Sequence, residues 1–106
     1  MSVVTVESEA LRDLLRAHRL VIDQLLHRYG ATHPRLIGSV SRGDATAASD
    51  IDLMVDLLPG HGNPLFRVAG LSEELTEALG HRVDVVTPDL LRENVSLTAL
   101  RDARPL

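Results

Sequence analysis

The apolar positions of this chain keep two different rhythms. From Ser8 to Tyr29 they recur at helical spacing, at Leu11, Leu14, Leu15, Ile22, Leu25, Leu26 and Tyr29, with arginines and Asp23 between them. That spacing predicts one helix with a single buried stripe, capped by Ser8 and ended by Gly30. Ala31 to Pro34 reads as a connector, because a proline pushes the residue before it out of helical geometry. Arg35 to Ser39 then reads as a short strand, with a helical turn starting near Ser41 and a loop of small residues from Ala45 to Ser49. From Asp50 to Asp56 the rhythm changes to two, which predicts a second strand with Ile51, Leu53 and Val55 on one face and Asp50 and Asp52 on the other. Leu57 to Asn63, holding Pro59, Gly60 and Gly62, is a loop. Asn63 and Pro64 form a cap and first turn, and Leu65, Val68, Leu71, Leu75 and Leu79 mark a long helix ending at Gly80. His81 to Val86 is a third strand, and Thr87-Pro88-Asp89 opens a short helix to about Asn94. The tail, Val95 to Leu106, carries little pattern beyond a turn or two of helix around Leu97 to Arg101. This order predicts an α/β fold, one small domain over residues 1–106, with a short mixed sheet flanked by helices.

The chemistry collects around the second strand. Two carboxylates on one face, Asp50 and Asp52, disfavour each other's ionisation unless a cation lies between them. Mg²⁺ takes oxygen ligands and keeps several waters, so two carboxylates plus substrate phosphate oxygens suit it. An Asp-x-Asp standing alone would be read as two solvated acids beside a turn. Here it follows Gly38-Ser39, where a strand runs into a glycine-permitted bend that offers backbone N–H groups and a hydroxyl to a phosphate. Ser39 has a second reading as a helix cap, and Arg42 reads either as a phosphate partner or as a solvated surface arginine. Asp84 is an acid inside an apolar short strand, which is unusual, although an edge strand facing solvent would tolerate it. Asp56 has the parity of Asp50 and Asp52 but marks the strand end. The window Gly38 to Gly43 has the outer spacing of a P-loop, yet Asp44-Ala45 stands where that motif needs Lys-Ser/Thr, so the P-loop reading fails.

The spacing Gly-Ser, ten residues, Asp-x-Asp resembles the signature of the polymerase-β-like nucleotidyltransferase superfamily. The run GSVSRGDATAASDIDLMVDL resembles more closely its minimal nucleotidyltransferases, small single-domain members often found as antitoxins beside all-helical HEPN toxins. The flanking helices and the segment Arg82 to Pro88 also sit where that family has them. The resemblance implies Asp50, Asp52 and Asp84 as a catalytic, metal-binding triad for two Mg²⁺ ions, with Mn²⁺ as a substitute. It also implies Gly38, Ser39 and Arg42 as nucleotide-binding residues. The implied reaction is transfer of AMP from ATP to a hydroxyl, with a tyrosine of a HEPN-type toxin as acceptor. Two competing expectations are a non-catalytic antitoxin that blocks its partner by binding alone, and a nucleotidyltransferase acting on a small molecule. After the three strands and their helices little chain is left for an acceptor-binding domain, which weighs against the small-molecule reading.

Composition narrows these alternatives. Tyr29 and Phe66 are the only aromatics among 106 residues, so there is no stacking platform for single-stranded nucleic acid. The net charge of −4 also argues against a polyanionic partner, and no direct nucleic-acid binding is expected. The absence of cysteine excludes disulfides, thiolate zinc sites and cysteine nucleophiles. The five histidines show no metal-ligand spacing, which makes zinc an unsuitable ion. Met1 to Asp13 lacks the pattern of a signal peptide and no apolar run approaches about 18 residues, so the expected location is the cytoplasm, away from membranes.

Overall fold

The computed structural model describes residues 3–91 and 101–106. Two helices stand where the apolar stripe predicted one: α1 spans Val6–Ala17 and α2 spans Arg19–Arg28. Between them His18 leaves helical geometry (φ −107°, ψ 17°), and the bend lets Leu11 and Leu15 of α1 and Ile22, Leu25 and Leu26 of α2 enter one core. The cap of α1 is Thr5, not Ser8: the Thr5 hydroxyl accepts from the Ser8 N–H at 3.1 Å. Ser8 is fully buried, and its own hydroxyl accepts from the Ala45 N–H at 2.9 Å, so it ties the loop after the first strand to α1.

Strand β1 runs Ala31–Ile37, so the expected connector Ala31 to Pro34 is strand and the strand stops before Gly38. Its register against the next strand shifts between Thr32 and Arg35, where His33 takes φ 52°. A proline, which cannot donate to the ladder, is tolerated at such an irregularity. Helix α3, Gly38–Arg42, follows at once and starts earlier than the turn expected near Ser41. Strand β2 spans Ile51–Leu57, α4 Pro64–Leu79, β3 Val83–Val86 and α5 Pro88–Leu91. The ends of α4 are as predicted: the Asn63 side chain accepts from the Leu65 N–H, and Gly80 closes the helix in the left-handed region at φ 68°. A two-residue strand, β4, Arg104–Pro105, had no counterpart in the sequence reading. The expected continuation to Asn94 and, apart from Arg101, the helical turns placed around Leu97 to Arg101 fall outside the described residues.

The sheet is mixed, in the order β3-β2-β1-β4, with β2 parallel to β3 and antiparallel to β1. Leu36, Ile51, Leu53, Val55, Val83 and Val85 share one face and pack with the buried residues of α1, α2 and α4 into a single cluster. By strand alternation, the opposite face presents Ile37, Asp52, Met54 and Asp84. Arg67 of α4 binds the layers together from within. Buried to 7% exposure, its guanidinium donates to the carbonyls of Tyr29 (3.0 Å), Gly30 (2.9 Å) and Leu58 (3.0 Å).

Candidate functional site

Asp52 sits at the centre of the sheet, and the register fixes its neighbours. It is paired with Ile37 on one side and with Asp84 on the other. Residues paired across adjacent strands project their side chains from the same face, so Asp52 and Asp84 stand side by side. Asp50, immediately before β2, has the same parity. Gly38, directly after the paired Ile37, adopts φ 72°. A Cβ at this position would lie 2.5 Å from Asp52 Oδ2. Glycine is therefore required twice over, by the backbone conformation and by the carboxylate against it.

The electrostatics follow from this crowding. Burial, then Asp84 and Asp50, push the Asp52 carboxyl up to about 6, while Arg42 draws it partly back. Arg82, two residues before Asp84 and so on its face, has Nε 3.5 Å from Asp50 Oδ2 and 3.5 Å from Asp84 Oδ1. The outer two carboxylates thus share one guanidinium, and the inner one has no cationic partner within ion-pair distance among the described residues. The sequence reading left Arg82 without a role, although strand alternation from Asp84 was enough to place it on this face.

The remaining predicted residues are arranged less simply. Ser39 lies inside α3, whose cap position is Ile37, and no side-chain cap bond is made there, so the cap reading of Ser39 fails. Its hydroxyl has no hydrogen-bond partner among the described residues, while its carbonyl accepts from Gly43 (2.9 Å) and Asp44 (3.0 Å). Arg42 pairs with Asp44 (Nε to Oδ2, 3.2 Å) and approaches Asp102 (Nη1 to Oδ2, 3.8 Å). Ser41, fully buried, donates to the Asp102 carbonyl and fixes α3 to the last described segment. Asp56 is set apart by its contacts: it accepts from Arg35 Nη2 at 2.8 Å and lies 3.1 Å from His33 Nδ1, beside the irregularity of β1.

Among the described residues, no three His, Cys, Asp or Glu side chains are gathered into a ready-made metal cage. The donor set nevertheless fits a hard divalent ion: aligned carboxylates, one of them held against glycine and resisting ionisation in the metal-free protein. A site of this kind is completed by phosphate oxygens and water. Two clefts, of about 500 and 770 Å³, lie elsewhere, and neither is lined by Asp50, Asp52 or Asp84. No helix among the described residues is long and apolar enough to cross a membrane.

Comparison with known proteins finds relatives along most of the chain. Over 104 residues the chain is 33% identical to the protein adenylyltransferase MntA of Thermococcus cleftensis, covering 96% of both chains. It is 31% identical over 77 residues to a Methanocaldococcus jannaschii protein provisionally named a protein adenylyltransferase, covering 73% of this chain and 74% of that one. A solved structure provisionally described as a minimal nucleotidyltransferase has 37% identity and a TM-score of 0.68, covering 89% of this chain and 94% of its own. Residues 18–105, which hold the glycine bend and all three acids, match the family described as nucleotidyltransferase domain. On sequence and fold together, the chain belongs to the nucleotidyltransferase domain family.

Proposed function

We propose that this chain, as one domain, transfers AMP from ATP to a hydroxyl of a partner protein, with Asp50, Asp52 and Asp84 as its catalytic acids. The observation that carries the reading is the pairing of Asp52 with Asp84 across β2 and β3 on the face away from the helical core. The protein substrate is inferred from the relative in Thermococcus cleftensis, which is named a protein adenylyltransferase. The HEPN-type toxin as target, its tyrosine as acceptor and the resulting antitoxin role are proposed on the resemblance of the GSVSRGDATAASDIDLMVDL run.

Each residue then has a defined task. Asp50, Asp52 and Asp84 would hold two divalent ions, Mg²⁺ or Mn²⁺. When bound, such ions offset the charge on the phosphates and lower the pKa of a hydroxyl. Gly38, having no Cβ, lets the backbone of the bend stand against the Asp52 carboxylate, and the first N–H groups of α3, lacking intrahelical acceptors, would serve the phosphates. Ser39 offers its unengaged hydroxyl to the same phosphates, and Arg42 lies one helical turn further on, where exchanging Asp44 for phosphate is open to it. Asp84, whose Oδ1 lies 3.5 Å from Arg82 Nε, would accept the acceptor's proton. The acceptor oxygen forms a bond to the α-phosphorus, the bond from that phosphorus to the bridging oxygen breaks, and pyrophosphate departs with the electron pair.

The test is incubation with a candidate partner, each nucleoside triphosphate and Mg²⁺, followed by intact mass measurement of the partner. The expected result is a gain of one adenylyl group with ATP and none with the Asp52→Asn chain. The partner is then purified away and assayed alone. A partner that recovers full activity and carries no added mass would replace this reading with an antitoxin that acts by binding.

A further inference from the structure

Four of the eleven basic residues in this net-acidic chain converge on one place that Asp50, Asp52 and Asp84 do not line. Arg12 and Arg16 of α1, Arg19 at the start of α2 and Arg104 of β4 line a cleft of about 500 Å³, whose floor is made by Leu15, Leu36 and Leu106. Its charge is only partly answered. Arg16 pairs with Asp13 at 2.5 Å and Arg19 with Asp23 at 2.9 Å, both exposed pairs of the kind that exchange readily. Arg12 gives its protons to neutral acceptors, the carbonyls of Val40 (3.1 Å) and Ser41 (2.9 Å). Arg104 has no ion-pair partner among the described residues. The cleft therefore combines surplus guanidinium charge with an aliphatic floor, within the range of about 300–1,000 Å³ that encloses compact ligands.

The lining selects among anions. Among the described residues no aromatic side chain lines the cleft, so it has no surface for stacking bases. Carboxylates suit guanidinium forks, and aliphatic side chains suit the leucine floor. We propose that this cleft is a docking site for an acidic, leucine-containing peptide segment of a partner protein. Leu36 and its β4 partner Arg104 belong to the helix side of the sheet, opposite Asp52 and Asp84, so an occupant leaves the carboxylates uncovered. Arg12 links the two faces, since the carbonyls it binds belong to α3, which begins at Gly38. The site does not rest on the transferase reading, because binding here uses neither the acids nor a nucleotide.

The probe is a fluorescent peptide of alternating glutamate and leucine, titrated with the whole chain while its anisotropy is followed. The expected result is saturable binding that weakens with salt, is unchanged in Asp52→Asn, and weakens about tenfold when Arg16→Glu and Arg104→Glu are combined, a loss equal to about 1.4 kcal/mol. Arg16 is exposed and Arg104 lies on an edge strand, so the reversed chain is expected to melt normally. If it melts early, Arg16→Gln with Arg104→Gln takes its place with the same expectation. Absence of saturable binding, equal binding by the altered chains, equal binding of a lysine–leucine peptide, or displacement by single-stranded RNA of the same charge at lower concentration would each overturn the proposal.

Discussion

Arg67 and Asp52 are both charged groups drawn into the body of the protein, and they are treated in opposite ways. Three carbonyls from two turns converge on the Arg67 guanidinium, so its burial closes the α2–β1 and β2–α4 corners. Asp52 instead meets Asp84 and Asp50, which hinder its ionisation, while its like-charged neighbours take the nearby Arg82. A satisfied buried charge rigidifies a fold, whereas an unsatisfied one marks a place where something else is meant to bind. On the proposed function, the contrast separates a charge that serves stability from one that serves chemistry.

The sharpest way to break this comparison is Asp52→Asn. It is expected to abolish nucleotidyl transfer and at the same time raise the melting temperature of the metal-free protein, because it removes a repelled charge without changing shape. Transfer by mass spectrometry and melting by calorimetry, run on one preparation, check both halves; full activity in the variant would remove Asp52 from the mechanism. Ser39→Ala comes next. With no cap bond to lose, it is expected to leave stability unchanged and slow transfer by about 10²–10³, the effect of losing one donor at a developing charge. An unchanged rate would show that the hydroxyl does not reach substrate.

Arg67→Met probes the satisfied charge. It strands three carbonyls of which each costs about 1–3 kcal/mol when left unpaired, so a loss of at least about 3 kcal/mol is expected by urea unfolding. Arg82→Gln should do the reverse at the site. Releasing Asp50 and Asp84 from a competing cation is expected to tighten Mg²⁺ binding, read as a larger Mg²⁺-dependent rise in melting temperature than in the wild-type chain. A smaller rise would mean that Arg82 organises the acids instead of competing for them.

The smallest effect is in pH. The folded carboxyl of Asp52, at about 6, lies above the unfolded value of about 3.9, so the folded state holds this proton more tightly. Its contribution is therefore most favourable below about pH 4 and is lost as pH rises through 6, the reverse of a salt-bridged aspartate. Melting curves between pH 4 and 7 without metal should show the wild type losing ground relative to Asp52→Asn as pH increases. A constant difference would remove the shift.

Much of this was determined locally and could be read from the chain alone. The Asn63-Pro64 start and Gly80 end of α4 depend on residues within one turn, and the face shared by Asp50 and Asp52 depends only on alternation along one strand. The glycine bend was legible for the same reason, since φ 72° at Gly38 is a property few other residues tolerate. What escaped the sequence involves partners distant along the chain. The apolar stripe from Ser8 to Tyr29 keeps one face through Leu15 and Ile22, seven residues apart, and the break at His18 shows only where the two helices pack into one core. Pro34 argued for a connector until the irregular pairing of β1 accommodated it, and β4 has too few residues to carry a pattern of its own. Arg67 looked like any helical arginine, because the three carbonyls that bury it come from turns at Tyr29, Gly30 and Leu58. The sequence by itself determined which residues could carry the chemistry. Only the tertiary structure decided that Asp84 stands next to Asp52, because strand register is set by packing across the sheet and not by either strand alone.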